Sequence, residues 1–150
     1  MVSAPVTEAA DAAPEGDSVA TFAGSLQLRH VDVGSCNGCE VEIASAFGPV
    51  YDAARFGARL VASPRHADGL LVTGVVTRNM SGPLRKTLDA VARPMVVVAC
   101  GDCAVNGGIF NDSYAVEGTV ADVVEPDVRI PGCPPHPEQI TRALRSLTGR

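Results

Sequence analysis

The chain is poor in aromatic residues, at 4%, contains no tryptophan, and carries few charges, at 19% Asp, Glu, Lys and Arg. No apolar run approaches the roughly 20 residues needed to span a bilayer. The opening stretch lacks the positive start and continuous apolar core of a signal peptide, and no twin-arginine pair is present. Lys and Arg are not clustered, and the formal charge is -5. That argues against a nucleic-acid surface, which needs a basic patch. No G-x-G-x-x-G follows a strand, so the dinucleotide-binding fingerprint is missing as well. These absences predict a soluble, cytoplasmic body, peripheral to a membrane at most. In a reducing compartment its five cysteines are expected to be metal ligands, catalytic thiols or inert core residues, not a disulfide framework.

What is present suits one packed domain: 150 residues, 46% of them apolar, with 15 Gly and 11 Pro. The acidity is uneven. Glu8, Asp11, Glu15 and Asp17 all precede the first basic residue, Arg29. The Ala/Pro/Ser/Asp-rich opening has no helical apolar stripe. It is expected to be a flexible extension over 1–24, or an arm that orders on a partner, ahead of a single domain over 25–150. The remaining body is close to neutral, which suits a subunit that buries much of its surface.

From residue 26 onward the pattern alternates between strand and helix. LQLRHVDV predicts a first strand, VEIASAF a helix ended by Gly48-Pro49, and Arg59 onward a short second strand. GLLVT and PMVVVAC are apolar throughout, as buried parallel strands are. Ser81 is expected to cap a helix carrying Leu84, Leu88 and Val91, and a closing helix is expected over 137–147. The class predicted is α/β, a mainly parallel sheet flanked by helices.

In such a sheet, ligands bind where loops leave the carboxyl ends of the strands. Cys36 and Cys39 follow the first strand, Cys100 and Cys103 follow VVVA, and Cys133 follows the last strand. All five therefore fall on one edge. Neighbouring glycines permit positive φ and close approach of backbone amides to sulfur. Soft thiolates select zinc or an iron–sulfur cluster. On spacing alone, two C-x-x-C pairs would satisfy structural zinc but leave Cys133 unexplained, and a thioredoxin-like redox pair also remains open.

The ordered set CNGCE, SPRHAD, LLVTGVVT, GDCAVNGG and PGCPP resembles the small, electron-transferring subunit of nickel–iron hydrogenases. It is most similar to the energy-converting, formate-hydrogenlyase-like branch, which shares a family with the 20 kDa subunit of respiratory complex I. The resemblance implies a flavodoxin-like fold with one 4Fe–4S cluster at the carboxyl edge of the strands. It implies Cys36, Cys39, Cys103 and Cys133 as the ligands and leaves Cys100 as a spare buried thiol. It also implies a hydrogenase-type large subunit as partner, with further iron–sulfur and membrane subunits in the complex. Complex I members carry adjacent cysteines where this chain has C-x-x-C, which tilts the reading toward hydrogenase. The alternatives are a complex-I-like subunit passing electrons to quinone and a zinc-stabilised interaction module.

Around the cysteines, Glu42 is expected near the cluster and Glu40 toward solvent or an interface. Arg65, His66 and Thr73 are further candidates for a second layer around the site. The turn between Thr73 and Thr77 is expected to face the partner. No residue is expected to perform acid–base or nucleophilic catalysis alone.

Overall fold

Gly69 to Thr73 and Val96 to Cys100 are buried at every position, so neither segment has a face to give to solvent. Both must lie inside a sheet covered on two sides. A computed structural model of the chain describes residues 22–150 and shows this arrangement. In chain order the elements are β1 (Leu26–Asp32), α1 (Gly38–Ala46), β2 (Ala58–Leu60), β3 (Gly69–Thr73), β4 (Val76–Thr77), α2 (Arg78–Ala90), β5 (Val96–Cys100), α3 (Asp102–Asn106), β6 (Val116–Gly118), β7 (Val128–Ile130) and α4 (Pro137–Thr148). Five strands form a parallel sheet in the order β2-β1-β3-β5-β7, and β4 pairs antiparallel with β6 beside it. Apart from that small pair, this is the flavodoxin-like order, as expected.

Side chains alternate across β3 and β5 and so feed two cores. Leu71, Val96, Val98 and Cys100 meet Ile43 and Ala46 of α1 and Ile140, Leu144 and Leu147 of α4. Leu70, Val72, Val97 and Ala99 meet Leu84 and Leu88 of α2 and Ala104 of α3. α4 starts with a capping box between His136 and Gln139 and ends at Gly149 in the left-handed conformation, a common pair of start and stop signals.

The sequence misplaces one helix start. α2 begins at Arg78, not after Ser81, and Pro83 lies inside it. The Arg78 amide donates to the Ala115 carbonyl, 2.9 Å away, so a tertiary bond satisfies the early helix in place of a serine cap. Most of the expected extension over 1–24 falls outside the described residues. Its last part is tied down: the Phe22 and Gly24 amides donate to the carbonyls of Leu147 and Thr148, each at 3.0 Å. Among the described residues no helix is long and apolar enough to cross a membrane.

Candidate metal centre

The strand order reverses between β1 and β3, and the loops after β1, β5 and β7 converge at the carboxyl edge of the strands. A cavity of about 130 Å³ opens at this edge, walled by Cys36, Cys39, Cys103 and Cys133 together with Ser35, Asp102 and Pro134 and the glycines between them. One water needs only about 10–15 Å³, so the space suits a group of several atoms. The four cysteines implied as ligands are the four on its wall; Cys100 is not. Cys39 and Cys103 lie at its floor, 8% and 7% exposed, whereas Cys36 and Cys133 are exposed at its mouth.

Local structure sets each sulfur in place. The Asp32 carboxylate accepts from the amides of Gly34 (2.9 Å) and Ser35 (2.7 Å), which turns the chain as it leaves β1. Asn37, at φ 72, starts α1, and its amide donates to Ser35 Oγ at 2.9 Å. Cys103 stands in the short helix α3, and the next residue toward the N-terminus, Asp102, links two loops. Its amide donates to the Gly132 carbonyl (2.8 Å) and its carboxylate accepts from the Gly132 amide (2.7 Å). The Cys103 and Cys133 segments are therefore clamped together by a reciprocal pair of bonds. Gly101 has φ 91 and ψ 154, a region essentially restricted to glycine. A Cβ there would lie 2.4 Å from Cys39 Sγ.

The thiols perturb one another. Burial pushes the Cys103 thiol up from its ordinary value, and Cys133, Cys36 and Cys39 push it further. Crowding of this kind opposes ionisation in the bare protein, and a bound metal group reverses it by supplying positive charge. Cys39 is pulled down, chiefly by a hydrogen bond with Cys100, and Cys100 is pushed up by the same bond and by burial. Among the described residues no three Cys, His, Asp or Glu side chains converge on one point as a single ion requires. Tetrahedral zinc at about 2.3 Å from each sulfur would need that convergence. The donor set fits a larger soft group: four thiols spread around a cavity with glycine backbone on its walls.

A polar network that sequence reasoning missed lies beside the loop. Glu40, expected toward solvent, turns inward. One carboxylate oxygen accepts from Thr73 Oγ1 and the other accepts from Ser35 Oγ at 2.5 Å. His30 Nε2 lies 2.9 Å from Thr73 Oγ1 and 3.5 Å from Glu40. Because the Thr73 proton points to Glu40, the His30 Nε2–H donates to Thr73. Thr73 is fully buried at the end of β3, one residue before Gly74 on the cavity wall. The Glu42 side chain makes no hydrogen bond or ion pair among the described residues, and it is Glu40 that anchors the cysteine loop. Arg65 and His66 form a turn ahead of β3 and are absent from the cavity wall. They stand at the end of β3 opposite the cysteines, a strand of about 3.3 Å per residue away. Val75 and Val76, expected in a partner-facing turn, are 2% and 0% exposed within this chain.

Comparison with known proteins agrees with this geometry. The family model described as "NADH ubiquinone oxidoreductase, 20 Kd subunit" matches residues 36–147, from the first cysteine to the last turn of α4. The chain belongs to that family. Among curated relatives, formate hydrogenlyase subunit 7 of Escherichia coli (strain K12) is 48% identical over 113 residues, covering 75% of this chain and 44% of that protein. The chain thus spans less than half the length of that relative. The probable membrane-bound hydrogenase subunit mbhJ of Pyrococcus furiosus is 46% identical over 115 residues, covering 77% of this chain and 69% of that one. Among solved structures, a chain of the membrane-bound sulfane sulfur reductase, an archaeal respiratory membrane complex, superposes with a TM-score of 0.73 at 32% identity. That match covers 85% of this chain and 70% of the other.

Proposed function

We propose that this chain is the electron-transfer small subunit of an energy-converting hydrogenase, holding one 4Fe–4S cluster beside the active site of a large partner subunit. The observation that carries the reading is the cavity wall, which takes four of the five cysteines and leaves the fifth out. Cys36, Cys39, Cys103 and Cys133 would be the ligands, and the cluster would supply one-electron transfer. This chain's own part is to hold four thiolates at fixed positions, to keep water from the floor with Cys39 and Cys103, and to offer the mouth to a partner. The relatives of known name that are hydrogenase subunits support this branch, as does the separated C-x-x-C pair.

The partner is expected to cover the mouth. Val41, two residues past Cys39, is 56% exposed, and Ile109, next to Gly108, is 83% exposed. A Cβ on Gly108 would lie 3.0 Å from Cys103 Sγ, so Ile109 follows a residue packed on a wall cysteine, and Val41 stands on the helix that carries Cys39. Large apolar side chains left in water beside a functional cavity suit an obligate contact. Further iron–sulfur and membrane subunits belong to the same proposal, and the chain would sit peripheral to the membrane within the complex. As a domain, residues 25–150 would be the cluster-binding unit.

The test is anaerobic loading of the full chain with iron and sulfide. About four irons per chain, a brown colour and an EPR signal on reduction are expected. Stoichiometric zinc without iron would favour the zinc-stabilised module instead. A second reading is favoured by the likeness to the respiratory complex: a related subunit that passes electrons to quinone or another acceptor without hydrogen chemistry. Co-purification of a large subunit that retains paired C-x-x-C motifs for nickel separates the two.

A further inference from the structure

Thr73 is the only polar side chain of β3, and it is 0% exposed. Valine has the same branched shape, so packing alone does not call for a hydroxyl there. That hydroxyl is the middle of a series of hydrogen bonds. His30 Nε2–H donates to Thr73 Oγ1 at 2.9 Å, and the Thr73 hydroxyl donates to one oxygen of the Glu40 carboxylate. The other oxygen accepts from Ser35 Oγ at 2.5 Å, and Ser35 Oγ accepts from the Asn37 amide at 2.9 Å. The series therefore runs from β1 through β3 and α1 into the loop that carries Cys36. Gly74 closes the same contact from the backbone side, since a Cβ there would lie 2.3 Å from the Ser35 nitrogen. Glu40 is next to Cys39, where a second negative charge opposes a thiolate. Charge alone thus disfavours Glu40, and the two bonds it accepts account for its place.

We propose that Thr73 and Glu40 are positioning residues for the cluster: the series from His30 to Ser35 holds the Cys36–Cys39 loop in shape before anything binds, and so slows loss of the cluster once it is held. The inference rests on the cluster reading given above. Ligands already held in place lose less freedom on binding, so what they bind leaves more slowly. Burial of Thr73 keeps water from replacing its bonds and strengthens them. Neither residue is assigned a contact with the cluster, and both act through the loop that bears two of its ligands.

The experiment compares the full chain with its Thr73→Val, Thr73→Ser and Ser35→Ala variants. In the iron-free chain, hydrogen exchange of the Asn37 amide is measured. In the chain loaded anaerobically with iron and sulfide, the rate of iron loss to a chelator and the EPR line shape of the reduced cluster are measured. Thr73→Val should speed both Asn37 exchange and iron loss, each on the order of tenfold, as loss of one hydrogen bond to a charged group implies, and should alter the line shape. Thr73→Ser, which keeps the hydroxyl, should restore both rates. Ser35→Ala should speed iron loss by a similar factor, and adding Thr73→Val to it should change little more, because both act through one carboxylate. A folded Thr73→Val with unchanged exchange and iron loss overturns the proposal. Faster loss that Thr73→Ser does not restore, or that is fully additive in the double variant, overturns it by reducing the effect to general stability. If Thr73→Val does not fold, a Ser35→Ala chain that loses iron no faster than the unaltered one overturns it. Failure of the unaltered chain to hold iron removes the cluster reading itself, and Asn37 exchange then still decides whether the series holds the loop.

Discussion

Gly101 occupies backbone space that no other residue fits, because the sulfur of Cys39 stands where a side chain would begin. Gly101→Ala is expected to cost about 1–3 kcal/mol from its φ/ψ region alone and to displace Cys39. Iron content and melting temperature should both fall, and a variant holding full iron would show that the sulfur moves freely. Ligand replacements act at the same scale. Serine at Cys36, Cys39, Cys103 or Cys133 is expected to remove or degrade the cluster, since oxygen is a poor substitute for a soft thiolate, with iron per chain as the measurement. His30 supplies a pH response. Burial lowers its pKa from 6.5, while Glu40 and Asp32 oppose the shift. The unfolded chain therefore binds a proton near 6.5 while the folded chain still resists it. Its contribution to stability is complete above that pH and is lost as pH falls below it toward the lowered value. Melts across this range should show a decline in the unaltered chain that is shallower in His30→Gln.

At the scale of elements, the site depends on which loops are tied to which. Asp102→Ala removes the acceptor for the Gly132 amide and should cost about 1.5–3 kcal/mol, toward the lower end because the carboxylate is only partly buried. Asp102→Asn keeps an oxygen acceptor and should cost less. Chemical denaturation with iron release followed in parallel checks both variants. The strands of the parallel sheet and the closing helix were legible because their signals are local: the apolar runs of β3 and β5, and the Pro137 start of α4; the short pair β4 and β6 was not read. That the cysteines fall at one edge of the sheet was legible because parallel strands send every post-strand loop there, whereas the choice of four of them came from the family resemblance. The network of His30, Glu40 and Thr73 was not legible. Its partners lie 33 and 43 residues apart and meet only through the register of β1 on β3. The start of α2 was missed for a related reason. Ser81-Gly-Pro reads as a cap, but the bond from Arg78 to Ala115 that begins the helix earlier is tertiary. Glu40 and Glu42 were exchanged because helix spacing alone does not say which carboxylate meets a hydroxyl on the neighbouring strand.

Across the described residues, the large apolar side chains left exposed are Ile109 (83%) and Tyr114 (88%) after α3, Val41 (56%) on α1, and Val50 (82%) and Leu60 (41%) elsewhere. Ile109→Asp should weaken co-purification with a large subunit while leaving iron content unchanged, since this side chain is largely exposed within the chain. Full assembly of that variant would move the contact elsewhere. A charge at Val76 would not make the same test, because its burial would unfold the core first. Removal of residues 2–21 is expected to leave iron content intact, and iron per chain after the deletion checks this. Extending the cut through Phe22 breaks its bond to Leu147 and should lower the melting temperature.

The cavity has a floor made by Cys39 and Cys103 and a mouth made by Cys36 and Cys133. Ile109, left exposed, follows Gly108, whose backbone lies against Cys103 on the cavity wall. If the proposed cluster enters and the proposed partner docks through that mouth, filling has to come before docking. Whatever enters the cavity must do so while the subunit is still alone, and a partner that arrives early seals an empty chamber. The subunit would then need to be withheld from its partner, or its partner from it, until loading is complete.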